Sequence, residues 1–138
     1  MSIEREFSYG GVVVRRGEVL VIAPAGRPAV ATLPKGRGKP GESKEQTAAR
    51  EVREETGIDV RVVERLGDVE YWYRRSGLRV FKTVGYYLCD YVSGSTADHD
   101  DEVDEARWMP LERARTELSY PGERQIIERA LSKQHGDR

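Results

Sequence analysis

The chain has 138 residues, which is long enough for one domain with a hydrophobic core. Its 23 Lys and Arg residues nearly balance 24 Asp and Glu residues, so no global field favours nucleic acid or an anionic membrane. The single cysteine, Cys89, excludes a disulfide framework within the chain and a cysteine-based zinc cluster. Since the N-terminus lacks an apolar segment and no run approaches 18 apolar residues, we expect a soluble, cytoplasmic protein.

The first two thirds of the chain predict strands around one helix. Ser43 and Gln46 form a capping-box pattern, so a helix should begin at Lys44, and Gly57 is the expected residue after its end. Alternating apolar and polar residues indicate strands on both sides of this helix. In chain order, we predict strands over residues 7–15 and 18–23, a short extended segment over 32–34, the helix over about 44–56, and strands over 58–73 and 78–91.

The last third predicts a short strand and two helices after a polar loop over residues 92–101. Pro110 and Pro121 suit the first turn of a helix, where a missing amide proton costs no hydrogen bond. The predicted elements are a strand over 105–109, a helix over 111–118 and a terminal helix reaching about residue 131. Mixed strands with helices before and after them favour an α/β sandwich, and we expect residues 1–138 to form one domain.

Three acids on the predicted helix point to a metal site. Glu51, Glu54 and Glu55 fall at i, i+3 and i+4, which places their carboxylates on one helix face. Like charges at this spacing destabilise an isolated helix by roughly 0.2–0.5 kcal/mol. A solvated acidic face is the usual explanation of such a run, but it does not explain the Gly- and Pro-rich loop before the helix. A hard divalent cation, Mg²⁺ or Mn²⁺, bound by oxygen ligands explains both features.

The same window carries a longer pattern, G-x5-E-x7-R-E-U-x-E-E-x-G-U, in which U is a bulky aliphatic residue. Average residue frequencies would produce it in a chain of this length with a probability on the order of 10⁻⁸. The matching residues are Gly36, Glu42, Arg50, Glu51, Val52, Glu54, Glu55, Gly57 and Ile58. This pattern is the Nudix box, so the chain resembles the Nudix hydrolases, which cleave nucleoside diphosphates linked to another group. The resemblance implies an α/β/α sandwich with a mixed central sheet, in which the box is a loop–helix–loop.

The resemblance also implies roles for individual residues. The catalytic and metal-binding acids would be Glu51, Glu54 and Glu55, with Mg²⁺ as the expected cofactor and Mn²⁺ as the alternative. The main-chain carbonyl of Lys35 would join them, whereas the residues expected to shape the loop and helix are Gly36, Glu42, Arg50 and Gly57. Some members use the residue corresponding to Glu51 as the general base, but others use another box or loop acid.

One further acid outside the box often completes the metal site in this family. In MutT-like members it lies shortly before a Trp in a short strand. Glu102, six residues before Trp108, is the matching candidate, and Glu105 and Asp101 are its competitors. Most acids in the 98–105 stretch are expected to be solvated loop charges.

Substrate contacts should lie outside the box. The Leu33-Pro34-Lys35-Gly36 opening and the later strand with Lys82 and Tyr87 resemble a branch that includes MutT-like enzymes and dinucleoside polyphosphate hydrolases. The candidate substrate-binding residues are Arg37, Tyr71, Tyr73, Arg79, Lys82 and Tyr87. Tyrosines could stack a base and the cations could hold phosphates, although alternating strand aromatics also pack cores and cross-strand pairs. The Ser-Gln-Pro-Trp-Pro-Phe-Pro stretch of NADH pyrophosphatases is absent.

We therefore expect a metal-dependent pyrophosphohydrolase, monomeric or homodimeric, whose substrate is a small-molecule dinucleoside polyphosphate or nucleoside triphosphate. One alternative is removal of oxidised nucleotides such as 8-oxo-dGTP. Another is a nucleotide-binding module without turnover, although such a module has no need for three clustered carboxylates. Hydrolysis of RNA 5′ ends is disfavoured by the near-neutral charge, and we expect neither a nucleic-acid partner nor a membrane.

Overall fold

The computed structural model describes residues 3–136, with side chains to residue 134. Its strands are β1 (Ile3–Arg15), β2 (Glu18–Pro24), β3 (Lys35–Arg37), β4 (Ile58–Arg75), β5 (Leu78–Gly94) and β6 (Val103–Pro110). Its helices are α1 (Lys44–Thr56), α2 (Leu111–Glu117) and α3 (Pro121–Gly136), with a 3-10 turn at Thr96–Asp98. The elements follow the predicted order, and most differences concern where a strand or helix begins or ends.

The strands form a mixed six-stranded sheet in the order β4-β5-β1-β2-β6, with β3 paired to β1. Only β1 and β5 run parallel; the other described pairs are antiparallel. β1 and β2 are in register at just two positions, Val14 with Val19 and Arg15 with Glu18. Beyond these two positions β1 and β2 diverge, and the segment that leads from β2 into β3 lies between them. Thr32 of this segment bridges to Ile22 of β2, and β3 pairs with β1. This divergence places the start of the Nudix box in the middle of the sheet.

Helices cover both faces of this sheet, as the sequence predicted. Helix α1 packs on one face, where Val52 and Tyr87 belong to a buried cluster. Helices α2 and α3 pack on the other face, where Tyr86 and Ile127 belong to a second cluster. Tyr86 and Tyr87 are neighbours in β5 and enter different clusters because successive strand side chains point to opposite faces. The architecture is an α/β/α sandwich.

Helix α1 begins and ends where the sequence predicted. The Ser43 hydroxyl accepts a hydrogen bond from the Gln46 amide at 3.0 Å, and the Gln46 side chain accepts one from the Ser43 amide at 2.9 Å. Gly57 follows the helix in the left-handed conformation, with φ 78°, and its amide donates to the Arg53 carbonyl at 2.8 Å. A Cβ at Gly57 would also overlap the Ser95 carbonyl, so both backbone and space require glycine there.

Several strands are longer than predicted. Strand β1 begins at Ile3 because residues 3–6 continue the parallel register with β5, and β5 itself continues to Gly94 opposite the start of β4. The polar loop predicted over residues 92–101 is therefore partly strand. Helix α3 extends to Gly136. Within residues 3–136, no helix combines the length and the apolar composition that crossing a membrane requires.

Candidate active site

The loop before α1 is held against the helix by its backbone. The Lys35 amide donates a hydrogen bond to Oε1 of Glu55 at 3.0 Å. One residue later, a Cβ added at Gly36 would overlap the Glu51 carboxylate. The absence of a side chain at Gly36 therefore lets Glu51 lie directly against the strand that opens the box.

Arg50 connects the box loop to the helix. Its Nε donates to Oε2 of Glu42 at 2.6 Å, and its Nη2 donates to the Arg37 carbonyl at 2.9 Å. Glu42 also accepts the Lys39 amide, and the hydrogen bonds from Arg50 and Lys39 lower the pKa of Glu42 to about 2. The pairing of Glu42 with Arg50 has the bracing geometry predicted from the box.

Arg50 also binds two of the three predicted metal ligands. Its Nη1 donates to Oε1 of Glu51 at 2.8 Å and to Oε1 of Glu54 at 3.1 Å. The sequence pattern predicted only an architectural role for Arg50, so these two contacts were missed. In the structure, the guanidinium supplies the positive charge that offsets the repulsion between Glu51 and Glu54.

The buried box acids have raised pKa values. Burial, together with the negative charges of Glu51 and Asp100, raises the pKa of Glu55 to about 8. Burial also raises the pKa of Glu51, although the Arg50 guanidinium opposes the shift; the charges of Glu54 and Glu102 add to it. Burial is the main cause of both shifts, and a divalent cation bound by these carboxylates would oppose it by favouring their charged form.

The acidic loop before β6 lies against the end of α1. The Asp100 amide donates to the Glu54 carbonyl at 3.0 Å, and Oδ1 of Asp100 accepts the Glu102 amide at 3.1 Å. Glu102, the predicted acid outside the box, is close enough to Glu51 for its charge to raise the pKa of that group. Its competitor Glu105 is paired instead with Arg107, at 2.9 Å. Sequence reasoning missed the contact of Asp100 with the helix.

The donor set fits a hard divalent cation by its chemistry. Glu51, Glu54 and Glu55 offer carboxylate oxygens, which Mg²⁺ and Mn²⁺ prefer. Among the residues that the structure describes, no three acidic, His or Cys side chains already converge as a ligand cluster. Two of the three glutamates are instead engaged by Arg50. A cation at this site would compete with the Arg50 guanidinium for Glu51 and Glu54.

A cavity of about 390 Å³ opens beside the box, on the sheet face that carries α3. Its wall combines aromatic rings, cations and a buried acid. The lining residues are Pro24, Arg27, Thr32, Lys35, Val69, Tyr71, Tyr73, Lys82, Val84, Tyr86, Tyr120 and Glu123. Three predicted substrate contacts, Tyr71, Tyr73 and Lys82, belong to this wall. Lys35 joins the two regions, because its side chain lines the cavity and its amide binds Glu55.

The structure does not bring the other predicted substrate contacts to this cavity. Tyr87 is 6% exposed and belongs to the core beneath α1, on the opposite sheet face. The Arg79 guanidinium lies 4.5 Å from the Trp72 ring centre, also on that opposite face. Arg37 is exposed, and its Nη1 lies 3.9 Å from Oε2 of Glu6. The strand register separates Arg79 and Tyr87 from Lys82 because odd-numbered spacings along a strand change the face.

Two buried acids next to the cavity were not recognised from the sequence. Oε1 of Glu6 accepts hydrogen bonds from the Tyr73 hydroxyl at 2.6 Å and from the Lys82 ammonium at 3.3 Å, and Arg75 pairs with the same carboxylate. Burial alone would raise the pKa of Glu6, but these hydrogen bonds lower it to about 2. The only sequence signal was an acid at an inward position of β1, in the same alternation as the buried Val12.

The second missed acid, Glu123, connects α3 to the segment that leads into the box. It accepts hydrogen bonds from the Thr32 hydroxyl at 2.7 Å and the Leu33 amide at 3.0 Å. The Tyr86 hydroxyl donates to it as well, at 2.9 Å. Burial raises the pKa of Glu123. Its position in the first turn of a helix gave no sign of these distant partners, because acids are common there for electrostatic reasons alone.

Comparisons with known proteins agree with this geometry. The model of the NUDIX domain family matches residues 7–130. MutT4 of Mycobacterium tuberculosis is 42% identical over 118 residues, which cover 86% of this chain and 44% of MutT4. An 8-oxo-(d)GTP phosphatase of Mycolicibacterium smegmatis is 34% identical over 102 residues, covering 74% of this chain and 30% of that protein. The NAD-capped RNA hydrolase NudC of Pseudomonas aeruginosa is 34% identical over 103 residues, or 73% and 35% of the two chains.

This chain thus spans less than half the length of these three relatives.

Solved structures share the fold. An Ap4A hydrolase of C. elegans superposes with a TM-score of 0.76 and 24% identity, covering 95% of this chain and 98% of that one. A NUDIX hydrolase from Nitrosomonas europaea gives a TM-score of 0.75 and 22% identity, covering 94% and 90%. Nudix enzymes generally need divalent metal ions. The complete box, the fold and the family match together establish that this chain belongs to the Nudix hydrolase family, with MutT-like relatives.

Proposed function

We propose that this chain is a Mg²⁺-dependent pyrophosphohydrolase that cleaves a nucleoside diphosphate linked to another group. The observation that carries the proposal is the dual contact of Lys35. Its amide holds the buried Glu55 of the box, and its side chain lines the cavity of about 390 Å³. A phosphate chain that enters this cavity would therefore reach the carboxylates without leaving the protein surface. Ligand cavities of small-molecule enzymes usually fall between about 300 and 1,000 Å³.

The cavity wall suits a nucleotide. Tyr71 and Tyr120 stand at its opening, 41% and 39% exposed, and offer flat rings to a base. Lys35, Lys82 and Arg27 offer cations to phosphate oxygens. Of the residues predicted from the sequence, Tyr71, Tyr73 and Lys82 remain our proposed substrate contacts.

The box supplies the reaction chemistry. We assign Glu51, Glu54 and Glu55 to the divalent ions, with Glu102 as the further acid. When bound, the ions neutralise phosphate charge and make water a stronger nucleophile. Glu51 is the proposed acceptor of the water proton, because it lies against Gly36 at the start of the box and is only 13% exposed. Arg50 and Glu42 hold the loop and helix together while the phosphate chain binds.

We propose a dinucleoside polyphosphate or a nucleoside triphosphate as the substrate. The second candidate is an oxidised nucleotide such as 8-oxo-dGTP, and the relative named as an 8-oxo-(d)GTP phosphatase supports it. NAD-capped RNA is a weaker candidate, since this chain lacks the Ser-Gln-Pro-Trp-Pro-Phe-Pro stretch of NADH pyrophosphatases. We also propose a single domain over residues 1–138, a cytoplasmic location and a monomer or homodimer, as inferred from the sequence.

A nucleotide panel tests this function. The purified protein is incubated with dinucleoside polyphosphates, nucleoside triphosphates, 8-oxo-dGTP and NADH, each with Mg²⁺, with Mn²⁺ and with EDTA. Products are separated by chromatography, and phosphate and pyrophosphate are measured. We expect Mg²⁺-dependent cleavage at a phosphoanhydride bond with preference for one of the first three classes. Absence of turnover on every member of the panel would support a binding module instead.

A further inference from the structure

The sheet face opposite the cavity carries an uncovered group of arginines and aromatic rings. Helix α1 packs on this side of the sheet but does not cover the beginning of β1, the end of β4 or the beginning of β5. Ile3, Phe7 and Trp72 are 53%, 51% and 49% exposed there. We call the group the arginine–aromatic face, and it consists of Arg5, Phe7, Trp72, Arg74, Arg79 and Phe81.

The strand register places these residues in rows across the sheet. Arg74 of β4 is opposite Arg79 of β5, and Trp72 is opposite Phe81. Arg5 of β1 is opposite Phe81 on its other side. Paired residues of neighbouring strands share a face, so the three arginines surround the two rings. The contacts agree, since the Arg5 guanidinium lies 5.5 Å from the Phe81 ring centre and the Arg79 guanidinium 4.5 Å from that of Trp72.

The arginines of this face form no ion pair within the described part of the chain, although one acid, Glu70 of β4, lies on the same face two residues before Trp72. Like charges directly opposite each other destabilise a sheet, yet Arg74 and Arg79 occupy such a pair. None of the ion pairs found among the described residues involves Arg5, Arg74 or Arg79, although nine other arginines of the chain are paired with acids. The face therefore offers unneutralised cations beside exposed rings, in a chain whose net charge is −1.

We propose that the arginine–aromatic face binds single-stranded nucleic acid. Trp72 and Phe81 contact each other, with ring centres 4.8 Å apart, and an arginine lies beside each ring. A single strand supplies phosphates for the arginines, and its unpaired bases can stack on the exposed part of the Trp72 ring. An acidic peptide would use the arginines but leave the rings without flat partners. In a duplex the bases stack on one another and are closed to the rings. A two-fold contact with a second copy would oppose this patch to itself and bring like charges together.

This binding is separate from the proposed hydrolysis, because Tyr71, Tyr73 and Lys82 line the cavity on the other face of the same strands. The near-neutral net charge, which argued against nucleic acid at the level of the whole chain, says nothing about how charge is distributed over one face. The acids are concentrated elsewhere, notably in the 98–105 stretch.

The test measures fluorescence anisotropy of a ten-residue oligouridine RNA with a 5′-hydroxyl and a 3′-fluorescein, in EDTA so that metal-dependent cleavage cannot contribute. We expect saturable binding at 50 mM salt, with log K falling against log salt at a slope of about −2, since each phosphate contact to a single strand contributes about −0.7. Arg74→Gln and Arg79→Gln should each weaken binding and reduce the slope by about 0.7. Trp72→Leu should weaken it about tenfold or more through lost stacking.

Arg113→Gln is the matched control, because Arg113 is an exposed arginine paired with Glu117 on α2 and should leave RNA binding unchanged. Thermal melts of every variant establish that it is folded. If Trp72→Leu does not fold, the variants of the surface arginines still test the proposal. The proposal is overturned by no saturable RNA binding, or by wild-type affinity and slope in all three face variants. It is equally overturned by tighter binding of a ten-residue polyglutamate peptide, or by a dimer that Trp72→Leu dissociates.

Discussion

The Lys35 amide donates a hydrogen bond to Oε1 of Glu55 across 3.0 Å. This bond ties the strand that opens the box to the last turn of the box helix, between two residues that are 20 positions apart in the sequence. Because the Lys35 side chain lines the cavity, the position of the cavity wall and that of a buried carboxylate depend on the same residue. Lys35 therefore links the proposed substrate contacts in the cavity to Glu55, one of the proposed metal ligands.

The brace between loop and helix should affect stability and activity together. Glu42→Ala or Arg50→Ala removes the 2.6 Å ion pair and leaves the remaining charged side chain half-buried without this partner. We therefore expect the melting temperature to fall by roughly 5 °C and turnover to fall with it. The matched control is Arg53→Ala, an exposed arginine of the same helix paired with Asp59 at 3.4 Å, which should change little. Lost activity at unchanged melting temperature and metal affinity would contradict the bracing role.

The acid outside the box can be separated from its neighbours by substitution. Glu102→Gln should reduce kcat strongly or shift the activity–pH profile, because its charge acts on Glu51. Asp100→Asn keeps an oxygen that can accept the Glu102 amide, and Asp104→Asn keeps one for the Gly26 amide, so both should stay near wild type. The charge of Asp100 acts on Glu55, but it contributes less to the raised pKa of that group than burial and Glu51 do. Activity is measured at several Mg²⁺ concentrations to distinguish weak metal binding from a lost base. An inert Glu102→Gln beside a crippled Glu105→Gln or Asp101→Asn would transfer the role.

The assignment of the cavity to the nucleotide can be tested with two tyrosines of opposite faces. Tyr71→Ala removes a ring from the cavity opening and should raise KM about tenfold with a smaller effect on kcat, as expected for lost base stacking. Tyr87→Phe removes only a hydroxyl on the α1 side of the sheet and should leave both constants unchanged. Equal effects of the two substitutions would argue against base binding in this cavity.

The buried Glu6 should make stability depend on pH in the acidic range. Its folded-state pKa, about 2, lies below the ordinary glutamate value of 4.5, so the stability it contributes is present above pH 4.5 and lost as pH falls toward 2. Glu6→Gln should lower stability at pH 7 and make the loss between pH 4.5 and 2 less steep. Urea unfolding at a series of pH values measures both effects. A wild-type slope in the variant would show that Glu6 does not titrate in this way.

Much of this fold followed from local signals in the sequence. The capping box at Ser43 and Gln46 and the glycine at position 57 fixed helix α1 because both act through the nearest turn of backbone. The placement of Glu51, Glu54 and Glu55 along this helix was equally local, since i, i+3 and i+4 spacing defines one helix face, while their binding of metal stays a prediction. These signals require no knowledge of distant contacts.

The rest depended on register and on long-range pairing. Arg79 and Tyr87 were proposed as substrate contacts with Lys82, but alternation along β5 directs them to the other face. Glu6 and Glu123 were missed because their partners lie 67–76 and 37–91 residues away. Composition and spacing along the chain carry no record of which strands become neighbours.

Metal-dependent turnover of two box variants decides whether the glutamates of the box hold the catalytic ions. Hydrolysis of the preferred nucleotide is followed across Mg²⁺ concentrations for wild type, Glu54→Gln, Glu55→Gln and the control Glu45→Gln, an exposed acid in the first turn of the same helix. We expect both box variants to lose turnover by on the order of 10²-fold or more and Glu45→Gln to keep it, with the melting temperature without metal unchanged or slightly raised. Near-wild-type turnover of both variants at saturating Mg²⁺ would contradict the metal site.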